Sequence, residues 1–278
     1  MIQTIRNIAS QLQAVYPADE AEALAWWVVE EETGLNRTQL QFGCKDTAFL
    51  PNMQEKIDRL LHFEPIQYIF GHTLWNGLDL KVTPDTLIPR PETAELVNLI
   101  SNIPYPKSTY RVLDIGTGSG CIAIALKKKH PEWQITGIDI STKAIEVAKE
   151  NSRRNNTEVE FLQRDIFSVE IESFRHGFDI VVSNPPYICE REKQEMRRNV
   201  LDYEPASALF VPDNDPLVFY RRICLMRLGT HLFFEINETF AKEMEVLLQE
   251  QGYTKIRISQ DMYGKPRMIE GHLPTHSS

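Results

Sequence analysis

From Tyr110 onward, short runs rich in β-branched and aromatic residues ("YRVLDI", "WQITGIDI", "VEFLQRDI", "FDIVVS", "HLFFEI") alternate with stretches of helical character. Parallel neighbours in a sheet need long crossover connections, usually helices, so this alternation predicts a parallel sheet with helices on both faces. In such sheets ligands bind at the carboxyl ends of the strands, so the residues just past each run decide the chemistry.

The chain has 278 residues, room for a second domain at roughly 100 to 200 residues each. Residues 1–65 read as helical. In "ADEAEALAWWVVEEETGL", Leu24, Trp27, Val28 and Glu31 recur at helical spacing, Asp19 is placed to cap the start, and Gly34 to supply the left-handed residue after the end. In "NMQEKIDRLLHF", Asn52 and Glu55 stand at capping-box spacing and Ile57, Leu60 and Leu61 share a face. Glu64 precedes Pro65, which disfavours further helix. "YIFGHTLWNGLDLKV" is two apolar runs joined by Asn76-Gly77, a pair suited to both positive φ angles of a tight hairpin. The expected organisation is a helical bundle over 1–65, a β-hairpin linker over 66–90, and the α/β domain over 91–278, entered through Pro84, Pro89 and Pro91.

Composition excludes several classes. Hydrophobic content of 42% with 25% charged residues is that of an ordinary soluble globular protein, and no apolar run approaches the roughly 20 residues that span a bilayer. "MIQTIRNIAS" lacks the basic start and apolar core of a secretion signal, so a cytoplasmic protein is expected. Cys44, Cys121, Cys189 and Cys224 lie far apart with no C-x-x-C pair, and the only histidine pair at ligand spacing, His272 and His276, sits in a polar tail; no metal is expected and the cysteines are expected to be reduced. With 39 acidic against 30 basic residues, net charge −9, an extended nucleic-acid surface is not expected. The absence of heptads points to a monomer.

The chemistry starts at "VLDIGTGSGCIAIAL", a strand, then Gly116, Gly118 and Gly120 at alternate positions, then a helix. Such a loop turns tightly and lets a ligand approach backbone without a Cβ in the way. A dinucleotide fingerprint would need glycine where Cys121 stands, and a phosphate-binding P-loop would need G-K-[ST]. Asp114, at the strand end, would repel a phosphate and welcome a cation. Asp139 ends the second run about 20 residues beyond the loop, as expected of an acid that bonds ribose hydroxyls. Asp165, followed by Ile166 and Phe167, pairs an acceptor with an apolar wall, suited to adenine. The ligand implied has a cationic or amino portion, a ribose and an adenine but no phosphate, a description that S-adenosyl-L-methionine meets.

"FDIVVS" runs directly into Asn184-Pro185-Pro186-Tyr187. The prolines fix φ and give no N–H, so the loop is stiff, and the Asn184 side-chain oxygen with a main-chain carbonyl can receive both hydrogens of an –NH2 group. Tyr187 adds a flat packing face. Methyl transfer to a planar nitrogen follows: the nitrogen is a poor nucleophile, and holding both of its hydrogens turns its lone pair towards the donor. No Ser-His-Asp or metal pattern asks for a different mechanism.

These residues resemble the class I S-adenosylmethionine-dependent methyltransferases. "EPIQYIFG", "LIPRPETAELV", "VLDIGTGSGCIAIAL", "VSNPPYI", "YEPASALF" and "DMYGKPR" narrow the resemblance to the HemK/PrmC-type protein-(glutamine-N5) methyltransferases, from about residue 60 to about residue 270. The resemblance implies a Rossmann-like, mostly parallel sheet and methylation of the glutamine in the Gly-Gly-Gln motif of class 1 peptide chain release factors, with S-adenosyl-L-homocysteine as product, no metal, no stable nucleic-acid partner and no membrane. It also implies that the N-terminal helices recognise the release factor. Gly116, Thr117, Gly118, Ser119 and Gly120 would cradle the methionine part of the cofactor, Asp139 the ribose, and Asp165, Ile166 and Phe167 the adenine. Asn184, beside the cofactor, and the Pro185 carbonyl would hold the glutamine amide, with Pro186 and Tyr187 shaping its pocket and Arg90, Pro91 and Glu92 lining it from the linker side. Ala94 and Asn237 depart from the family pattern, which commonly has glutamate and glycine there.

Two other readings stay in view. One keeps the chemistry and changes the substrate to an exocyclic amine of adenine or guanine in DNA or RNA. The other is a non-catalytic cofactor-binding interaction module.

Overall fold

A computed structural model of the protein describes residues 2–42, 51–104, 107–168 and 177–274. It divides into two units, Met1–Gly71 with Arg197–Tyr203, and His72–Met196 with Glu204–Ser278. Cys44, His276 and the part of the helical expectation that falls on 43–50 lie outside the described residues.

In the first unit α1 (Ile2–Leu12) buries Ile5, Ile8, Ala9 and Leu12, a stripe at helical spacing. α2 (Ala18–Thr33) ends as expected: Gly34 takes φ 68° and its N–H bonds the Glu30 carbonyl. Its start differs from expectation, because Pro17 is the cap and Asp19 lies in the first turn, where its charge suits the helix dipole. The buried face also differs, running through Ala21, Ala25, Val28 and Val29, while Trp27 and Glu31 are half-buried and bonded to each other. Around α3 (Arg37–Phe42), Asn36 and Gln39 form a reciprocal capping pair, each side chain accepting from the other's N–H. α4 (Pro51–Leu61) contains Asn52 within the helix rather than as its cap, and buries Met53, Ile57 and Leu60. Arg59 and Glu64 make a two-pronged ion pair just beyond it. α5 (Ile66–Phe70) starts after Pro65, so Tyr68 and Phe70 are helical rather than part of a hairpin strand. The turn α9 (Arg198–Leu201) belongs to this unit through Tyr203 on the His62 carbonyl, Arg197 with Glu20, and Arg198 stacked over Phe63.

The second unit opens with the hairpin β1 (His72–Trp75) and β2 (Leu78–Lys81), turned by Asn76 at φ 48° and Gly77 at φ 76°. Then follow α6 (Pro91–Ser101), β3 (Arg111–Ile115), α7 (Cys121–Lys129), β4 (Gln134–Asp139), α8 (Thr142–Arg154), β5 (Glu160–Gln163), β6 (Phe178–Ser183), β7 (Ile188–Cys189), β8 (Phe210–Val211), α10 (Val218–Met226), β9 (Gly229–Glu235), α11 (Ala241–Glu250), β10 (Thr254–Gln260) and β11 (Pro266–His272). The seven-stranded sheet has the order β10-β11-β9-β6-β3-β4-β5, and β11 alone runs against the others. Alternate residues serve opposite faces. Val112, Val182, Phe233 and Met268 pack with α6, α7 and α8, whereas Leu113, Val181, Phe234 and Ile269 pack with α10 and α11.

The chain leaves β3 towards β4 and β5 and returns to β6 on the other side of β3. The carboxyl ends of β3 and β6 therefore flank the switch point, the place where such sheets open a crevice. The Ser183 hydroxyl, fully buried, ties the two ends together by donating to the Ile115 carbonyl at 2.7 Å. Asn151 of α8 and Asn155, the residue that caps its C-terminus one turn on, bond the main chain of β2 at Lys81 and Asp79, and Asn151 also donates to the Ser119 carbonyl. The hairpin is thus fastened to the glycine loop through one side chain.

Among the described residues no helix is long and apolar enough to cross a membrane, and no group of three or more His, Cys, Asp or Glu could hold a metal ion. Cys121, Cys189 and Cys224 are free thiols.

Candidate active site

After β3 the chain passes through Gly116, Gly118 and Gly120 at φ 70°, 54° and 81°, left-handed values that disfavour any side chain. A Cβ on Gly116 would meet nothing within 4 Å, and one on Gly118 only the Gly116 carbonyl at 4.0 Å, so open space lies against the backbone there. Gly120 is different: its Cβ would press on Ala148, Ile124 and Phe161 at 3.1 Å, so it serves packing. The N–H groups of Gly116 and Thr117 bond the Ile138 carbonyl, that of Gly118 bonds Asp139 Oδ2, and that of Gly120 the Thr117 carbonyl. With four donors spent inside the protein, the loop is a poor anion cradle, in keeping with a ligand that lacks phosphate.

Thr117 and Ser119 turn their side chains inward and are buried. The Thr117 hydroxyl donates to Asp114 Oδ2 at 2.6 Å, and Asp114 is wholly buried with Oδ1 unpartnered. Burial pushes its carboxyl up to about 7. Asp114 therefore braces the loop from beneath rather than facing a ligand.

Asp139 accepts from Gly118 N–H and Ser141 N–H, one per carboxylate oxygen, which leaves a lone pair on each for further donors. Burial raises its carboxyl, and the N–H groups of Ser141, Gly118 and Ile140 oppose the rise. Asp165 Oδ1 accepts from the Phe167 N–H at 2.8 Å, closing a tight turn that leaves Phe167 exposed against the edge of Phe219. Ile166 is half-buried, its carbonyl held by Arg222. The next loop exposes Ile140, 62% accessible directly after Asp139. Gln163 bonds the Ile140 carbonyl and Arg164 N–H the Asp139 carbonyl, so the two loops lie side by side, each offering an acid and an apolar side chain. Sequence reading passed over Ile140; an isoleucine just outside a strand, where a solvent-facing loop would be polar, was the available signal.

At the end of β6 Asn184 is half-buried and donates from Nδ2 to Thr93 Oγ1 at 3.2 Å. Thr93, buried on α6, donates in turn to Glu235 Oε2 at 2.7 Å. The Tyr187 hydroxyl donates to Glu235 Oε1 at 3.0 Å, so this tyrosine is anchored at its tip, and its side chain packs against the core that holds Phe234 and Ile269. Glu235 is 1% exposed, at the end of β9, with its own carbonyl held by Tyr220. Burial pushes the Glu235 carboxyl up, while the Thr93 and Tyr187 hydroxyls and the Arg267 charge pull it down. Pro185 is buried and Pro186 half-buried. Neither Thr93 nor Glu235 was singled out from sequence, although Thr93 closes "IPRPET" and Glu235 is the one acid in the strand run "HLFFEI".

Arg90, just before α6, pairs with the buried Glu204 at 2.6 Å, and Glu204 also takes the Ile88 N–H. Trp75 of the hairpin donates to the Arg90 carbonyl. Pro91 is the first residue of α6 and Glu92 lies in its first turn, where its charge raises Glu235. Asn237 adopts φ −71°, ordinary backbone for which glycine is not needed; its amide lies 3.3 Å from the Tyr187 carbonyl and its oxygen caps Thr239. Ala94, on α6, packs against the core. The site thus gathers at the carboxyl edge of the sheet; a cavity of about 330 Å³ bordered by Arg111, Lys127, Thr136 and Glu160 lies at the opposite edge, among the strand starts.

Comparison with known proteins agrees with this architecture. Residues 94–205 match the Methyltransferase small domain and residues 3–71 the PrmC N-terminal domain. The chain is 42% identical over 272 residues to the release factor glutamine methyltransferase of Bacteroides thetaiotaomicron, covering 94% of this chain and 96% of that one. The chain belongs to the release factor glutamine methyltransferase family. A second member, from Flavobacterium psychrophilum, is 38% identical and covers 96% of this chain and 98% of its own length. Among solved structures, the hMettl16 catalytic domain in complex with a MAT2A 3′UTR hairpin superimposes with a TM-score of 0.56 at 15% identity, covering 88% of each chain. A human methyltransferase 10 domain containing protein gives 0.51 at 19% identity, over 71% of this chain and 90% of that one. At those identities they share the class I methyltransferase fold. The family's two-part organisation accounts for the helical segment that precedes that fold.

Proposed function

We propose that this chain transfers a methyl group from S-adenosyl-L-methionine to the side-chain amide nitrogen of the glutamine in the Gly-Gly-Gln motif of class 1 peptide chain release factors. The observation that carries the reading is Asn184: its Nδ2 is committed to Thr93, so its Oδ1 is presented as an acceptor beside the glycine loop. Kinship over nearly the whole chain with enzymes named for release factor glutamine methylation supports the substrate.

S-Adenosylmethionine, when bound, supplies an electrophilic methyl group on a sulfonium. The residues present fit it: open backbone at Gly116 and Gly118, free lone pairs on Asp139 for ribose hydroxyls, and Asp165 with Ile140, Ile166 and Phe167 for adenine. Asn184 Oδ1 and the Pro185 carbonyl would accept the two amide hydrogens, and Pro186 and Tyr187 would bound the pocket. Holding both hydrogens draws the amide lone pair out of conjugation and fixes the nitrogen for in-line attack, a positioning effect worth several kcal/mol. The proton displaced from nitrogen passes to solvent, and no nucleophile on the protein is required. The helical unit matched by the PrmC N-terminal domain would dock the release factor. The protein is read as a cytoplasmic monomer that needs no metal. Arg90, Pro91 and Glu92 would form the rim on the linker side.

Purified protein with methyl-labelled cofactor should label a release factor and leave its Gly-Gly-Gln Gln→Ala variant unlabelled; equal labelling of both overturns the reading. Asn184→Ala should abolish turnover with cofactor affinity kept within about threefold, and a loss of affinity by orders of magnitude would remove Asn184 from its assigned role.

A further inference from the structure

We infer that Thr93 and Glu235 are positioning residues that set which end of the Asn184 amide faces the substrate. A side-chain amide is nearly symmetrical in shape, and either end fits the same space; what distinguishes the ends is hydrogen bonding. A hydroxyl has one hydrogen. Glu235 is a carboxylate whose Oε1 takes the Tyr187 hydroxyl and whose Oε2, at 2.7 Å, takes the hydrogen of Thr93. With its hydrogen committed, Thr93 offers Asn184 only lone pairs, so Asn184 must turn its –NH2 towards Thr93, as it does at 3.2 Å. Oδ1 is thereby left pointing the other way.

The opposite orientation would present two N–H donors to a substrate –NH2, which also has only donors, and binding would be repulsive. Glu235 is suited to start the chain because it cannot reorient: it is 1% exposed, its backbone carbonyl is held by Tyr220, and its carboxylate is bonded at both oxygens. Polarity thus passes from an acid that touches no substrate, through one hydroxyl, to the amide that does. The inference rests on the proposed amide methylation and adds to it the means by which the acceptor is oriented.

Thr93→Val keeps the shape and removes the hydroxyl. Relative to wild type acting on the same release factor, it should lower kcat about 10- to 100-fold, the effect of one lost buried hydrogen bond, with cofactor affinity close to wild type and the melting temperature lowered by several degrees, because the buried Glu235 Oε2 loses its partner. Thr93→Ser restores the hydroxyl and should recover most of the rate, which a purely packing role for the methyl group would not allow. Glu235→Gln can donate to Thr93 and so reverse the chain; it should lower kcat comparably. Wild-type rate in Thr93→Val, or a Thr93→Ser variant as slow as Thr93→Val, overturns the inference while leaving the methylation reading intact. An inactive wild type overturns the methylation reading itself.

Discussion

Asn151 offers a quantitative test of how the hairpin and the glycine loop are joined. Its side chain is fully buried on α8 and makes three bonds: Nδ2 to the carbonyls of Lys81 and Ser119, each at 2.9 Å, and Oδ1 from the Lys81 N–H at 2.6 Å. Asn151→Ala strips partners from three main-chain groups and opens a cavity that the buried neighbours cannot close. At roughly 1 to 3 kcal/mol for each orphaned buried group, discounted for the half-buried Lys81 where water can enter, the loss is about 3 to 5 kcal/mol. For a unit of this size that is about 10 °C in melting temperature. Asn155, one turn on, makes the equivalent bonds to Asp79 but none to the glycine loop, and Asn155→Ala should cost about half as much. The two variants should separate in calorimetry: Asn151→Ala releases the Ser119 carbonyl and weakens cofactor binding, whereas Asn155→Ala leaves it unchanged. A melting temperature within about 2 °C of wild type for Asn151→Ala, or equal effects of both variants on cofactor affinity, would refute the reasoning.

Gly120→Ala places a Cβ 3.1 Å from three side-chain carbons at φ 81° and should destabilise by about 2 to 4 kcal/mol in thermal melts, while Gly116→Ala, with open space around its Cβ, should cost only the backbone strain of about 1 to 2 kcal/mol and be read chiefly as weakened cofactor binding. Asp114, raised from 3.8 to about 7 by burial, holds its proton more tightly folded than unfolded, so the ligand-free protein should lose stability as pH rises between those values, by up to about 1.4 kcal/mol per pH unit. Asp114→Asn should flatten that slope in denaturant titrations at pH 5 and pH 8, whatever its constant offset; an unchanged slope would show that Asp114 is not the group responsible. Asn237→Gly, which restores the residue usual in the family, should lower stability by about 1 kcal/mol here, since the backbone at φ −71° gains nothing from glycine and the Thr239 cap is lost.

The parallel strands were legible because burial on both faces demands continuous apolar runs, and "RVLDI", "QITGID" and "FDIVVS" have them. β10 and β11 escaped notice for the same reason. β10 is the edge strand and largely exposed, β11 lies next to it, and "TKIRISQ" and "PRMIEGH" carry no such run. The helix starts misread at Asp19 and Asn52 show a different limit: an acceptor near the beginning of an apolar pattern suits the cap and the first turn alike, and tertiary packing decides between them. Tyr68 and Phe70 were assigned to a strand because a run as short as Tyr68-Ile69-Phe70 fits either period; Pro65 before Ile66 and Gly71 after Phe70, at φ 76°, favour one helical turn.

The acids at the strand ends carry a further lesson, since Asp114, Asp139 and Asp165 look equivalent in sequence and are not in space. Asp114 is wholly buried beneath the loop with one oxygen bonded by Thr117, Asp165 spends one oxygen closing its own turn, and Asp139 keeps acceptor capacity beyond its main-chain bonds. What separates them is depth: the sheet's twist and the length of each following loop decide whether a strand-terminal carboxylate emerges or is covered, and neither is written in local pattern. The same holds more strongly for the groups that orient Asn184. Thr93 and Glu235 are 142 residues apart, and Thr93 and Asn184 are 91 apart, so no spacing rule links them. They meet because β9 lies beside β6 and because Pro91 starts α6 within reach of both strand ends. A proline fixing a helix start and a strand order fixing its neighbours thus deliver one hydroxyl to one amide, and under the proposed function the direction of that single hydrogen bond is what leaves Asn184 Oδ1 as an acceptor for a planar –NH2 group.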